Sequence, residues 1–201
     1  MEAHWYFDFG SPLSYLQLAK VREWRARMPV TAEPIALRAL LKSQGSQTVE
    51  GAGISESATR LIKWRAKTAG ISLEFPPGYP FNSAAALRLC IAAGSSWNAV
   101  EVIFGHLWRD GRPGSMTADL VDVGHALGIA NVEAAIKSAE AGNQLRLNTE
   151  AALAIGVRNA PCVRIGSELF WGADAAERVD EWLARGHGTQ AADLQLRVGW
   201  Y

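Results

Sequence analysis

Cysteine is nearly missing from this chain. Among 201 residues there are two, Cys90 and Cys162, and they stand far apart. That spacing excludes a Cys-x-x-Cys redox pair and a cysteine-based metal site, and such sparse use of cysteine fits a reducing, cytoplasmic setting. Excess charge is missing too. Twenty basic residues balance twenty acidic ones, for a formal net charge of zero, so neither nucleic acid nor an anionic membrane is an expected partner. No apolar run approaches the roughly 18 residues of a membrane span. Met1 leads directly into a strand pattern, so no signal peptide is expected. The four histidines, His4, His106, His125 and His187, are scattered without ligand spacing, and no metal is expected. The chain has no Walker loop, no dinucleotide fingerprint, no nucleophile elbow and no internal repeat.

Tryptophan is what the chain has in plenty, with eight residues. Tryptophans pack into cores by default. Trp64, Trp97, Trp108 and Trp171 are the candidates for lining an aromatic pocket instead.

The stretch FDFGSPLSYLQLAKV, residues 7–21, sets the architecture. His4 to Phe9 reads as a buried aromatic strand closed by Gly10. Ser11 then takes the N-cap place with Pro12 at the first helical position, a combined helix-start signal. That helix is expected to run to about Met28, where Pro29 stops it. Val30 to Leu37 reads as a second strand, which makes a parallel βαβ unit. After a Gly-rich polar loop over 45–57, helices are expected over 57–69, 83–93, 97–109, 117–127, 132–138 and 143–154, with an extended Pro- and Gly-rich segment over 75–81. Strand character returns at Cys162–Ile165 and Leu169–Trp171 around a tight turn. A closing helix over 173–184 and a loosely attached tail follow. The order βαβ, helical block, ββα predicts an α/β chain. A thioredoxin-like domain (1–42 and 146–201) is interrupted by an all-helical insertion (43–145).

Three places carry candidate chemistry. Ser11 begins a helix whose unpaired N–H groups and partial positive charge favour an anion. Thioredoxin-type proteins keep Cys-x-x-Cys there, whereas this chain has Ser11-Pro12-Leu13-Ser14. A serine hydroxyl is too weak an acid to ionise usefully, but it can donate a hydrogen bond to a thiolate brought by a cofactor. The plainer reading makes Ser11 an N-cap only. The second place is Asn159-Ala160-Pro161-Cys162. Pro161 is expected in cis ahead of a strand, leaving the N–H and C=O of Ala160 free to pair with a short peptide such as glutathione. Cys162 is expected to be a buried strand residue. The third is Gly172-Ala173-Asp174 at the last helix's start, where backbone N–H groups suit a carboxylate and Asp174 suits an ammonium. Both groups occur on a γ-glutamyl end. The basic stretch Arg60, Lys63, Arg65 and Lys67 reads as a solvated helix face.

These pieces resemble, in this order, the 2-hydroxychromene-2-carboxylate isomerases and the related kappa-class glutathione transferases, which share a DsbA-like thioredoxin fold. FDFGSPLSYL is similar to the family's opening motif, PFNSAAALRL at 80–89 to its Pro-x-Asn-(Ser/Thr)…Arg segment, and GVRNAPCVRIGSELFWGADAAERVDEWL to its closing motif. The resemblance implies glutathione as cofactor, a small aromatic substrate and a homodimer. It carries the catalytic serine onto Ser11 and cofactor binding onto Ser11, Ala160, Pro161, Gly172, Ala173 and Asp174. Pro12, Asn82, Arg88 and Trp64 are carried to the substrate pocket, with Asn82 and Arg88 otherwise holding the insertion in place. The reaction implied is glutathione-dependent isomerisation to trans-o-hydroxybenzylidenepyruvate in aromatic degradation. A transferase on the same frame and a non-catalytic thioredoxin-like binding module remain the alternatives. The segment KSQGSQTVEGAGIS lacks the asparagine usual in relatives, and SATRLIKWRAKTAGI lacks their tyrosine and acidic residue.

Overall fold

A computed structural model describes residues 2–45, 54–172 and 174–185. Four strands form one sheet in the order β2-β1-β3-β4: β1 Ala3–Phe7, β2 Val30–Pro34, β3 Cys162–Ile165 and β4 Glu168–Trp171. β1 runs parallel to β2, with Ala3 opposite Val30 and Phe7 opposite Pro34. It runs antiparallel to β3, with Tyr6 opposite Cys162. Strand alternation divides the core in two. Ala3, Trp5 and Phe7 join a large cluster with Leu18, Val21 and Trp24 of helix α1 (Pro12–Arg25) and Val179 of helix α9 (Ala175–Ala184). Tyr6 and Cys162 face a smaller cluster with Leu40 of α2 (Leu37–Ser43) and Ala152 of α8 (Ala139–Ala154). The α/β architecture with a helical block between βαβ and ββα is therefore as the sequence predicts.

Between β2 and β3 the chain forms α3 (Glu56–Thr68), α4 (Ala84–Ala92), α5 (Trp97–Phe104), α6 (Val121–Ala126) and α7 (Val132–Lys137). The insertion shares its core with the sheet. Phe104 packs at a tilt against Phe7 and Phe9, at centroid distances of 5.7 and 4.6 Å. Trp108 is fully buried, and its indole N–H donates to the Phe9 carbonyl at 2.8 Å. Around it stand Phe75, Tyr79 and Phe81. That bond closes the backbone just ahead of Ser11.

The structure corrects several element boundaries. β2 ends at Pro34, and the next residues turn into α2, which the sequence reading missed. Pro34 has no N–H for a ladder. The Ala36 N–H goes to Thr149 Oγ1 and the Leu37 N–H to Asp8 Oδ2, so side chains take the donors a longer strand would use. α8 starts at Ala139, not Asn143, because Ser138 caps it by accepting from the Ala141 N–H. It crosses the 145/146 boundary between the expected domains. The sixth helix begins as a 3-10 turn over Thr117–Leu120, and Gly105–Arg109 forms a π-helical turn where one continuous helix was expected. The strand and helix beginnings at β1, α1, β3 and β4 lie within two residues of expectation.

Candidate functional site

Ser11 sits where β1 hands over to α1. Its backbone is extended, its hydroxyl accepts from the Ser14 N–H at 3.2 Å, and Pro12 occupies the first turn. The plain N-cap reading is therefore correct as far as it goes. The same hydroxyl also donates to the Ala160 carbonyl at 3.3 Å, across 149 residues of sequence. The Ala160–Pro161 bond is cis, so the second place meets the first directly. Ser11 is 6% exposed. Ser14 is completely buried, and its hydroxyl has no hydrogen-bond partner among the described residues. An N-cap hydroxyl, a helix N-terminus and a cis-proline thus converge on one small volume.

A residue that sequence reading passed over builds the turn. Asp8 is buried, with Oδ1 accepting from the Gly10 N–H at 2.7 Å and Oδ2 from the Leu37 N–H at 2.8 Å. Ser83, at the start of α4, hydrogen-bonds the same carboxyl. One side chain therefore ties the Ser11 turn, α2 and the insertion together. Burial pushes the Asp8 pKa up, against the lowering pull of Ser83, the two N–H groups and the Arg38 charge. Tyr79 lies close enough that burial and the Asp8 charge raise its phenol to about 12. The signal in the sequence is a lone acid inside an aromatic strand run, FDFG.

Beside the turn an apolar groove of about 510 Å³ opens. Its walls include Leu13 and Leu16 of α1, Leu61 and Ile62 of α3, and Ala160 and Pro161. Gly172 also lines it, with φ of +97°, a backbone conformation that favours glycine. Asp174 is exposed at the head of α9, and its side chain makes no capping bond. Ala173 lies outside the described residues, as do the tail from 186 and most of the 45–57 loop.

The remaining candidates do not line the groove. Pro12 is buried under Ser11's turn. Trp64 is 61% exposed on α3 and does not line the groove, whereas Leu61 and Arg65 of that helix do. Asn82 is exposed and accepts from the Ala84 N–H at 3.0 Å, a local turn one residue ahead of the Ser83 N-cap of α4. Arg88 lies against Gly142 of α8, where a Cβ would come within 3.2 Å of its guanidinium. Both contacts lie within the helical block, and neither reaches the groove.

Contrary to expectation, the Ala160 backbone is not free. Its N–H donates to Asn159 Oδ1 at 2.8 Å and its C=O accepts from Ser11. The sequence reading took a residue before cis-proline to be unpaired, but a preceding asparagine can reach forward to the next N–H. Cys162 lies fully buried on β3, and burial pushes its thiol up to about 12. Cys90 is buried with its thiol also pushed up to about 12. Neither is the accessible thiolate that disulfide exchange requires. Among the described residues no group of three or more His, Cys, Asp or Glu side chains could hold a metal ion, and no helix is long and apolar enough to cross a membrane.

The profile of the DSBA-like thioredoxin domain matches residues 4–184. Among solved structures, a 2-hydroxychromene-2-carboxylate isomerase superposes with a TM-score of 0.75 at 24% identity, over 92% of this chain and 95% of that one. The cytosolic disulfide reductase DsbM from Pseudomonas aeruginosa, solved with GSH, superposes with a TM-score of 0.63 at 15% identity, over 92% of this chain and 96% of that one. No curated protein matches the chain. At these identities the structural likeness speaks to the fold alone.

Proposed function

The chain belongs to the DSBA-like thioredoxin family, and on that footing we propose that it is a glutathione-dependent isomerase of the 2-hydroxychromene-2-carboxylate type. It would work in the cytoplasm, as a homodimer, on a small aromatic substrate. The observation that carries the reading is Ser11. The chain keeps the family's helix start and cis-proline, places a hydroxyl where a dithiol protein needs a thiol, and buries both of its own cysteines. A frame built to stabilise a thiolate, with no reactive thiol of its own, calls for one brought from outside. The likeness in fold to an isomerase and to a reductase solved with GSH agrees with that reading.

The site's residues fit a thiol cofactor. Ser11 Oγ, released from its long bond to the Ala160 carbonyl, can donate to a sulfur anion at the head of α1. The N–H groups of the first helical turn add their partial positive charge there, which lowers the pKa of a thiol held beside them. Ala160 and Pro161 form the wall along which a peptide would lie, Gly172 lines the same groove, and Asp174 stands at the head of α9 two residues on. When bound, glutathione supplies the nucleophilic sulfur that adds to a conjugated substrate and leaves after a bond has rotated. Leu13, Leu16, Leu61 and Ile62 offer apolar surface to an aromatic ring and keep water from it.

The test is conversion of 2-hydroxychromene-2-carboxylate to trans-o-hydroxybenzylidenepyruvate, followed by absorbance with and without glutathione. Turnover should require glutathione and fall about 10²–10³-fold in Ser11→Ala, the usual loss when one anion-stabilising donor is removed. Turnover without glutathione, or unaffected by the substitution, overturns the reading. The engaged Ala160 amide favours one alternative, a thioredoxin-like binding module without catalysis, for which neither form would convert the substrate.

A further inference from the structure

The peptide group of Ala160 is held shut from both sides. On one side Asn159 Oδ1 accepts its N–H at 2.8 Å, a full-strength length. On the other, Ser11 Oγ donates to its C=O at 3.3 Å, a long bond for a hydroxyl donor. The two contacts differ in what a thiol ligand would do to them. A sulfur anion arriving at the head of α1 offers Ser11 a charged acceptor in place of a distant neutral one, so that bond exchanges readily. The Asn159 bond has no such exchange unless the ligand brings a carbonyl to the same N–H.

Asn159 is exposed and lines the apolar groove together with Ala160 and Pro161. Its amide therefore stands in the path of any ligand that would lie along the wall as an added strand. We propose that Asn159 sets which thiols the groove accepts, acting as a latch that a peptide thiol must displace and a small non-peptide thiol need not. This rests on the cofactor reading above and adds to it the residue that grades one thiol against another. A non-peptide thiol reaches Ser11 and the helix head without touching the Ala160 N–H. A peptide thiol that pairs its own backbone with Ala160 competes with Asn159 Oδ1 for a single donor.

The experiment compares wild type, Asn159→Ala and Asn159→Asp by calorimetry with two probes, glutathione and 2-mercaptoethanol. Hydrogen exchange of the Ala160 amide is read in the ligand-free proteins. Removing the competing acceptor should tighten glutathione about three- to tenfold, the effect of one ordinary hydrogen bond, with 2-mercaptoethanol unchanged. The carboxylate of Asn159→Asp is a stronger acceptor and should weaken glutathione more than 2-mercaptoethanol. Glutathione's own carboxylates also feel the new charge, so this arm is read at high salt, where repulsion between exposed charges is screened and competition for the Ala160 N–H persists. Ala160 exchange should speed up in Asn159→Ala. Unchanged exchange, or glutathione weakened in Asn159→Ala, overturns the latch while leaving the cofactor reading standing. Failure of every form to bind either thiol overturns the cofactor reading, and this role falls with it.

Discussion

Replacing Asp8 with asparagine should destabilise the protein most at acid pH, and the loss should shrink as pH rises. The carboxyl is buried and meets two backbone N–H donors, from Gly10 and Leu37, one on each oxygen, with Ser83 also bonded to it. A neutral carboxylic acid can still serve both N–H groups, since its hydroxyl oxygen accepts as well as donates. An amide cannot, because its nitrogen has no lone pair to offer, and one buried N–H then faces a donor. Leaving one such group unpaired costs about 1–3 kcal/mol. The pH dependence follows from burial. The folded-state pKa of Asp8 is raised above its ordinary value of 3.8, with Arg38, Ser83 and the two N–H groups opposing the rise and Tyr79 nearby. A raised carboxyl pKa means that the folded state holds its proton more tightly. The stability this gives is fully present below 3.8 and is lost as pH climbs through the folded value. The asparagine variant would carry no such titration. Urea unfolding of both forms between about pH 4 and about pH 7 should therefore show the gap largest at the acid end and narrowing upward. A gap that widens with pH would refute the reasoning, because it would mean that the three donors and Arg38 outweigh burial and hold Asp8 as a carboxylate.

Trp108→Phe should cost about 2–4 kcal/mol, since it strands the Phe9 carbonyl and leaves space among Phe75, Tyr79 and Phe81. The urea midpoint should fall with its slope unchanged, and a midpoint within error of wild type would show that the indole bond is dispensable. Cys90 and Cys162, both buried with thiols pushed up to about 12, should resist an alkylating reagent at mildly alkaline pH until the protein unfolds. Stoichiometric labelling of the native protein, read by mass, would contradict that. Gly124→Ala should destabilise by about 1–3 kcal/mol, because the new Cβ would lie 2.5 Å from Val132 Cγ1, read as a lowered thermal midpoint.

The fold was legible at its ends. Ser11 with Pro12 announces α1, and the Ile165–Glu168 turn announces the β3–β4 hairpin, because these signals are local: a cap, a fixed φ, a tight turn. The middle was legible as helix but not in its joints. Where α8 starts depends on Ser138 accepting from Ala141, and Gly142, just before the expected start at Asn143, leaves room for Arg88. α2 was missed because its first N–H groups are claimed by Thr149 and Asp8, residues 113 and 29 positions away. The site was half legible. Ser11 and Pro161 could be paired from the order of motifs, and the structure brings Ser11 onto the Ala160 carbonyl. That Asn159 occupies the neighbouring N–H, and that Asp8 ties the turn to the insertion, are long-range or rotamer-level facts that no periodicity carries. Trp64 shows the opposite failure: a helical pattern placed it on α3 without saying which face meets the groove.

The central claim is that Ser11 and the head of α1 hold an incoming thiol as its anion. Glutathione binding by calorimetry, with the thiolate absorbance band read at neutral pH, tests it on wild type and Ser11→Ala. The substitution removes the hydroxyl that would donate to the sulfur and, with it, the cap on the Ser14 N–H, so the fold of the variant is checked by circular dichroism first. The account predicts binding with a thiolate signal in wild type, and weaker binding with the signal diminished in the variant. No binding by wild type at millimolar glutathione, or equal binding and equal thiolate in both proteins, would contradict it.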